Sequence, residues 1–311
     1  MSPDRVETEV DGRRLQVSNL DKILFPDAGF TKGAMIDYYL RIAPVMLPHV
    51  TDRPVTFRRF PNGVDEKSFF EKHAPSHTPE WVRTTYVPTV EKAAPGRRRG
   101  KGEGVEYAVV YDRPTLVWAA NLAAVEFHVP LWHVGDNKVV PGPPDHLVFD
   151  LDPGPGTSIV ECCRVARWIA DHLKDADLGT AIPKTSGSKG LQLYLGLPAG
   201  TEWEGARQQA LGLAQSIETE HPELVVTKMG KDLRRGRVLI DWSQNHPAKT
   251  TVAAYSLRAR AEPSVSTPIT WDEVTACEEA GDPDMLRFLP AEVLDRVEHH
   301  GDLMATLGLA S

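Results

Sequence analysis

The chain has 311 residues, of which 41% are hydrophobic, 25% charged and 7% aromatic, which is the composition of an ordinary globular protein. No apolar run approaches the roughly 18 residues of a transmembrane helix, so the sequence excludes a membrane-spanning, collagenous or wholly disordered chain. The formal net charge of -8, taken alone, argues against a nucleic-acid-binding protein.

The N-terminal residues, MSPDRVETEV, lack the basic head, apolar middle and small-residue cleavage site of a secretory signal peptide. The chain has three cysteines, and the adjacent Cys162 and Cys163 provide neither a disulfide framework nor a zinc-binding CxxC pair. We therefore expect a reduced, cytoplasmic protein without membrane association.

Taken in chain order, apolar spacing predicts helices and strands along most of the sequence. Residues 31–46 should form the first helix behind Thr31 as its N-cap, and residues 54–60 the first strand. Apolar residues at helical spacing predict a helix over most of 116–129. The later predicted elements are a buried strand at 146–152, helices beginning at Ile159 and Ala206, a Gly/Ser turn and strand at 184–197, a short strand at 237–243 and a terminal helix at 290–300. This mixture, without a convincing linker, predicts one α/β domain, residues 1–311, with a mixed sheet.

Two segments differ from the rest of the chain in charge. Residues 95–104, PGRRRGKGEG, contain Gly, Pro and cations but no apolar residue, so we expect a mobile basic loop. Residues 261–311 hold 11 acidic and 2 basic residues and should form an acidic, helical C-terminal segment, which leaves residues 1–260 with a charge of about +1. The local charge is therefore a better guide to the partner than the charge of the whole chain.

The sequence FDLDPG places two carboxylates on a predicted strand. Side chains at i and i+2 of a strand point to the same face, so Asp150 and Asp152 should project together, roughly 7 Å apart. Their repulsion favours a divalent cation such as Mg²⁺ or Mn²⁺, which prefers hard oxygen ligands, although exposed edge strands also carry such pairs. Asp241, at the end of the apolar strand RVLID, is a poor core residue without a partner. A third carboxylate would allow two cations roughly 3.5–4 Å apart, as in two-metal phosphoryl transfer.

A candidate phosphate-binding turn lies at 184–190, KTSGSKG. Successive backbone N–H groups of a Gly/Ser turn can bind an anion, and Ser186, Ser188 and Lys189 add hydroxyl donors and a point charge. The turn is not a P-loop, because GxxxxGK[ST] is absent and a strand follows instead of a helix; the alternative is a solvated hairpin connection. More cations occur at 228–237, KMGKDLRRGR, and at Lys249, Arg258 and Arg260.

Several sequence blocks occur in the order typical of one family. They are SNLDKILFP, RPVTFRRFPNGVDEKSFFEK, AVEFHVP, HLVFDLDPG, KTSGSKGL, VLIDWSQN and AYSLRAR. Through these blocks the chain resembles the polymerase domain of bacterial ATP-dependent DNA ligase D, a member of the archaeo-eukaryotic primase superfamily. The resemblance implies an α/β catalytic core with mixed and antiparallel sheets flanked by helices. It also implies a DNA-repair primase-polymerase, and because no KxDG adenylation motif is present we expect a stand-alone member.

The resemblance further implies the roles of individual residues. Asp150, Asp152 and Asp241 match the family's catalytic carboxylates, which bind two divalent cations, Mn²⁺ or Mg²⁺. The residues expected to bind the incoming nucleotide are His128, Ser186, Lys189, Arg234, Gln244 and Arg258. The residues expected to contact DNA are Phe70, which stacks on the template with Phe69 beside it, and Lys72, which grips the 5′-phosphate downstream of a gap. Judged by residue type alone, His128 and the two phenylalanines would be core residues.

The implied reaction is template-dependent nucleotide addition. A primer 3′-hydroxyl attacks the α-phosphate of an NTP or dNTP, with ribonucleotides preferred, while two cations stabilise the developing charge. The implied substrate is a short gap or broken DNA end with a downstream 5′-phosphate. The implied setting is either end joining with Ku and a separate ATP-dependent ligase or gap filling in excision repair. We expect a monomer.

One motif position departs from the family. Gln192 follows KTSGSKGL where the family commonly has histidine, and glutamine carries neither a titratable proton nor a charge at neutral pH. A catalytically weak nucleic-acid-binding module is therefore an alternative function. FDLDPGPGTS also resembles the DxDx[TV] motif of haloacid-dehalogenase phosphatases, but Gly154 stands where that motif has Thr or Val. Because the three carboxylates and Lys189 are intact, we expect nucleotide addition to survive.

Overall fold

The computed structural model describes residues 5–88, 104–134 and 141–308, so the predicted basic loop 95–104 lies outside the described residues apart from Gly104. The helices in these ranges are α1 (Lys32–Val50), α2 (Arg113–Asn121), α3 (Ile159–Asp175), α4 (Trp203–Glu220), α5 (Trp271–Ala280) and α6 (Pro290–His300). The strands are β1 (Arg5–Val10), β2 (Arg13–Ser18), β3 (Ile23–Phe25), β4 (Phe30–Thr31), β5 (Pro54–Arg59), β6 (Phe69–Glu71), β7 (Thr84–Pro88), β8 (Gly104–Val109), β9 (Ala124–Val129), β10 (His146–Pro153), β11 (Ile182–Thr185), β12 (Leu191–Gly196), β13 (Val225–Val226), β14 (Val238–Asp241), β15 (Thr251–Val252), β16 (Leu257–Ala259) and β17 (Pro263–Val265). No helix in the three described ranges is long and apolar enough to cross a membrane.

Two sheets carry the fold. A five-stranded sheet has the order β11-β12-β10-β14-β13 and is antiparallel except for the parallel pair β13 and β14. A six-stranded antiparallel sheet has the order β15-β9-β5-β8-β7, with β6 paired to β5. Helices α3 and α4 contact β10 of the first sheet, and α2 contacts β9 of the second. The predicted α/β fold with mixed and antiparallel sheets flanked by helices is confirmed.

Helix α1 begins where the sequence predicts. The Thr31 hydroxyl accepts a hydrogen bond from the Ala34 backbone N–H at 3.1 Å, which satisfies one of the free donors at the helix start. The helix then continues to Val50 in spite of prolines at 44 and 48. Its buried face is anchored to the six-stranded sheet by the Tyr39 hydroxyl, which donates to the Val125 carbonyl at 2.6 Å. Tertiary packing therefore extends the helix beyond the four turns predicted from the sequence.

The structure corrects the helix predicted over 116–129. Helix α2 ends at Asn121, Ala123 adopts a left-handed φ of 59°, and the residues that follow form β9. Strand β9 lies between β5 and β15 in the sheet, and five of its six side chains are buried. Val125, Phe127 and Val129 alternate with Glu126 and His128, but this alternation is short and directly follows the apolar run of α2, which has helical spacing.

The acidic C-terminal segment packs against the rest of the fold. It contains α5, which the sequence analysis did not predict, and α6, which it did. Helix α5 begins with a capping box, in which Thr270 accepts from the Glu273 backbone N–H at 3.2 Å and Glu273 accepts from the Thr270 backbone N–H at 2.8 Å. Beyond α6, Asp302 lies 2.8 Å from His49 of α1. Most of the excess negative charge therefore lies on elements that pack against the rest of the fold.

Candidate active site

The three predicted metal-binding carboxylates lie side by side on two neighbouring strands. Asp150 of β10 is paired directly with Asp241 of β14, and Asp152 is two residues further along β10. Cα atoms of opposed antiparallel residues are about 4.5–5.5 Å apart, and residues i and i+2 share a face. The sheet therefore brings all three carboxylates to one face, as the sequence predicts for Asp150 and Asp152.

Each carboxylate already has polar partners. Asp241 accepts from the Ser243 backbone N–H at 3.0 Å and from Gln244 Nε2 at 3.2 Å. Asp152 lies 3.7 Å from the Arg234 guanidinium. Within the described ranges, no three His, Cys, Asp or Glu side chains converge closely enough to form a preformed metal cage. The three carboxylates are adjacent, and their oxygen atoms would have to move closer together to bind a cation.

The electrostatics of these carboxylates fit a divalent cation. Burial raises the pKa of Asp150, and the charges of Asp152 and Asp241 raise it further. Burial also raises the pKa of Asp152, where Arg234 opposes the effect and Asp241 adds to it. Both shifts arise because negative charges lie close together at a site that is partly shielded from water. Carboxylate oxygens are the hard ligands that Mg²⁺ and Mn²⁺ take, and such an ion would supply the missing positive charge.

Two glycines let neighbouring segments approach the carboxylate strand closely. A Cβ atom on Gly154 would lie 1.7 Å from the Arg234 carbonyl oxygen, so only glycine allows the 231–237 segment to rest on the end of β10. A Cβ atom on Gly190 would lie 2.2 Å from the Leu151 carbonyl oxygen. The first contact places Arg234 beside the carboxylates, and the second places the KTSGSKG turn there.

The KTSGSKG turn forms one wall of a cleft of about 400 Å³. The Ser186 hydroxyl accepts from the Gly190 backbone N–H at 3.1 Å, which holds the turn closed, and Arg258 donates to the Ser186 carbonyl at 2.8 Å. Lys189 is exposed. The predicted site residues that line this cleft are Asp150, Asp152, His128, Ser186, Lys189, Arg234 and Arg258. Asp241 and Gln244 are not among the lining residues and instead contact each other.

Gln192, the residue that departs from the family motif, bridges two charged groups. Its Nε2 donates to Asp150 Oδ1 at 3.1 Å, and its Oε1 accepts from Lys184 Nζ at 2.7 Å. Lys184 is completely buried, and burial lowers its pKa to about 7. Because an ammonium can only donate, it turns the amide oxygen of Gln192 towards itself and the amide nitrogen towards Asp150. Glutamine therefore provides the carboxylate with a hydrogen-bond donor.

The two phenylalanines predicted to contact DNA lie on the surface. Phe69 is 43% and Phe70 is 59% exposed on strand β6, which excludes the core role that their residue type would suggest. The Arg59 guanidinium lies 5.3 Å from the Phe69 ring, and Arg58 lies 5.5 Å from the Phe70 ring. Lys72, directly after β6, is exposed. Exposed aromatic rings next to cations form a surface on which unpaired bases can stack.

A second group of cations lies near β6. Lys32 is buried, and its pKa is lowered to about 8 by burial and by the charges of Lys22 and Arg59. Its ammonium donates to the Ser18 carbonyl at 2.6 Å. The sequence does not reveal this cluster of cations, because its members are separated along the chain and only the fold brings them together.

Glu126 is the other site residue that the sequence analysis missed. It is 1% exposed, and its Oε2 lies 2.8 Å from Nε2 of His128, which is two residues further along β9 and on the same face of the strand. The ExH spacing in AVEFHV is the signal that could have revealed it, but the segment reads as helical, and residues i and i+2 do not face each other on a helix.

The chain is similar to known proteins over most of its length. Residues 31–304 match the family model described as LigD, primase-polymerase domain. The chain is 43% identical over 294 residues to the multifunctional non-homologous end joining protein LigD of Mycolicibacterium smegmatis, covering 94% of this chain and 36% of that protein. It is 30% identical over 289 residues to the bifunctional non-homologous end joining protein LigD of Bacillus subtilis, covering 93% of this chain and 43% of that protein. The chain thus spans well under half the length of these relatives.

A solved structure covers the same region. The polymerase domain from Mycobacterium tuberculosis Ligase D in complex with DNA superposes with a TM-score of 0.84 at 40% sequence identity. The match covers 96% of this chain and 99% of that domain. The similarity therefore extends over the whole domain and includes both sheets.

Proposed function

Because the chain belongs to the LigD primase-polymerase domain family and is therefore a polymerase-type nucleotidyltransferase domain, we propose that it adds nucleotides, ribonucleotides preferentially, to primer ends at short DNA gaps and breaks. Polymerase domains of this type depend on divalent metal ions in general. We infer that the ions here are two Mn²⁺ or Mg²⁺ ions.

The observation that carries the proposal is the composition of the cleft. Asp150 and Asp152 line the same cleft of about 400 Å³ as the cationic KTSGSKG turn, and Asp241 is paired with Asp150 on the neighbouring strand. A nucleoside triphosphate with its cations is complementary to both walls at once, since its phosphates need positive charge and its cations need oxygen ligands.

The chain's residues divide the work of binding. Asp150, Asp152 and Asp241 hold the cations; when bound, these ions supply positive charge at the attacking hydroxyl and at the departing pyrophosphate. The backbone of the KTSGSKG turn, Lys189 and Arg258 bind the triphosphate. The carboxylates position charge and need not accept the proton of the primer hydroxyl.

The exposed β6 surface supports the assignment of DNA binding. Phe70 would stack on the template base next to the break, with Phe69 beside it, and Lys72 would bind the 5′-phosphate on the downstream side. The names of the relatives place those proteins in non-homologous end joining. We propose the same setting for this chain, with a ligase activity and Ku as partners.

Gln192 is compatible with activity. A neutral histidine could donate to Asp150 through one ring nitrogen and accept from Lys184 through the other, and the amide of Gln192 makes the same two bonds. We therefore expect a working enzyme in spite of the change.

The test is nucleotide addition by the purified chain, with Mn²⁺, to a duplex containing a one-nucleotide gap. Ribonucleotides and deoxynucleotides are compared, each with and without a 5′-phosphate on the downstream strand. We expect addition that is faster with ribonucleotides and with the phosphate. A chain that binds the gapped duplex but adds no nucleotide would be a nucleic-acid-binding module, and the proposal would be wrong.

A further inference from the structure

Glu126 is a buried carboxylate in the middle of β9, behind the cleft wall. Its Oε1 accepts from Arg58 at 3.1 Å and from the Ala259 backbone N–H at 3.1 Å. Its Oε2 lies 2.8 Å from His128 Nε2 and 3.4 Å from Arg258 Nε. One side chain that solvent barely reaches therefore contacts an imidazole and two guanidinium groups, two of which line the cleft.

We propose that Glu126 is a positioning residue that holds Arg58, His128 and Arg258 in the geometry that binds the incoming nucleotide. This inference rests on the proposed function, which assigns Arg258 to the triphosphate, and on the family resemblance, which assigns His128 to the incoming nucleotide. Glu126 acts only through these three groups and does not itself line the cleft.

The charge of Glu126 determines how His128 faces the cleft. Burial raises the pKa of Glu126, but the hydrogen bond from His128 and the charge of Arg258 outweigh burial and lower it to about 2. An ionised carboxylate can only accept hydrogen bonds, so Nε2 of His128 carries the proton in this bond. Burial lowers the pKa of His128, and the hydrogen bond and charge of Glu126 oppose that shift. The carboxylate thereby determines which ring nitrogen of His128 faces it.

Glu126 also connects the two sides of the cleft. On one side, Arg58 and His128 both contact the exposed Phe70 ring, each with a separation of 5.5 Å. On the other side, Arg258 donates to the Ser186 carbonyl at 2.8 Å in the phosphate-binding turn. The ionised carboxylate is thus the common partner of groups that face the template and groups that face the triphosphate.

A second carboxylate, with 28% of its side chain exposed, has similar partners but lies away from the cleft. Asp145, directly before β10, pairs with Arg53 and lies 2.8 Å from His133 and 2.9 Å from His146. None of these four residues lines the cleft. Neutralising Asp145 therefore disrupts a cluster of the same composition and controls for the general effect of removing a carboxylate that pairs with an arginine and histidines.

The experiment compares Glu126→Gln, Glu126→Asp and Asp145→Asn with the parent enzyme. Nucleotide addition to a one-nucleotide gap gives kcat and KM, titration with a fluorescent nucleotide analogue gives its dissociation constant, and thermal unfolding gives Tm. We expect Glu126→Gln to raise KM and the dissociation constant about tenfold or more while kcat falls less than about threefold. Glu126→Asp, which keeps the charge, should recover part of this loss. Asp145→Asn should lower Tm and leave KM within about twofold of the parent value.

Two results would overturn the inference: a Glu126→Gln enzyme with parental KM and parental nucleotide affinity, or an equal rise in KM in Asp145→Asn. If Glu126→Gln does not fold, the same comparison is made with Glu126→Asp, for which a parental nucleotide affinity overturns the inference. A parent protein that adds no nucleotide disproves the proposed function instead, and the titration then decides the role of Glu126 separately.

Discussion

A methyl group at position 154 tests whether the contact between the 231–237 segment and the end of β10 positions Arg234. In Gly154→Ala the new Cβ atom would lie 1.7 Å from the Arg234 carbonyl oxygen and 2.8 Å from that of Arg237. Since real Cβ atoms essentially never approach closer than 3.0 Å, the segment has to move by about 1.3 Å. The Gly154 N–H bond to the Arg237 carbonyl, 2.8 Å long, is strained by the same movement.

This displacement is large enough to affect nucleotide binding. Arg234 lies 3.7 Å from Asp152, so a shift of about 1 Å changes the charge that faces the carboxylates and the phosphates. A misplacement of this size costs up to ~100-fold in rate, and overpacking costs roughly 1–3 kcal/mol of stability. We expect kcat/KM to fall about 10–100-fold and Tm to fall by roughly 1–2 °C for each kcal/mol lost.

The assay is steady-state nucleotide addition with a parallel thermal melt. The matched control is Gly212→Ala in α4, where a Cβ atom meets nothing within 4 Å. This exposed helical position should gain roughly 0.5–1 kcal/mol and retain parental kcat/KM. If Gly154→Ala keeps both the parental kcat/KM and the parental Tm, the reasoning about the close contact is refuted.

Three further predictions concern single residues. Phe70→Ala should weaken binding of gapped DNA by about 1–3 kcal/mol in anisotropy titrations and barely change Tm, because the ring is 59% exposed; unchanged affinity would exclude stacking. Lys72→Ala should abolish the preference for a downstream 5′-phosphate, whereas an undiminished preference would point to Lys22 and Lys32 instead. Since the pKa of Glu126 is lowered from 4.5 to about 2, its charge stabilises the fold above pH 4.5 and loses that effect as the pH falls. The difference in unfolding free energy between parent and Glu126→Gln should shrink by about 2–3 kcal/mol from pH 6 to 2.5 in urea titrations, and a constant difference would contradict this.

The parts of the site that the residues alone predict are the local ones. The i, i+2 rule places Asp150 and Asp152 on one face of a strand, and the Gly/Ser content of residues 184–190 predicts a turn. Neither rule places that turn beside the carboxylates, because the contact depends on the antiparallel pairing of β10 with β12 and on the close approach of Gly190. The functional roles of single residues came from the family resemblance.

The features that the sequence analysis missed depend on tertiary structure. Lys184 belongs to a motif that reads as an exposed turn, yet it is fully buried because acceptors on β12, β15 and the segment after β17 surround its ammonium. Glu126 lies shortly after the apolar run of α2, so helical spacing was extended into its strand in spite of the alternation of Glu126 and His128 with apolar residues. Helix α5 begins with a TWDE capping box, which is a local signal that could have been used.

The most direct test of the site is the rate of nucleotide addition, with Mn²⁺, to a one-nucleotide gap by Asp150→Asn, Asp152→Asn and Asp241→Asn, measured one at a time. Asparagine keeps the size of each side chain and removes its charge, so the fold should persist while cation binding weakens. We expect each variant to lose at least about 100-fold in rate while it remains folded in a thermal melt. A parental rate in any of the three would contradict the assignment of these carboxylates as the metal-binding site of a polymerase.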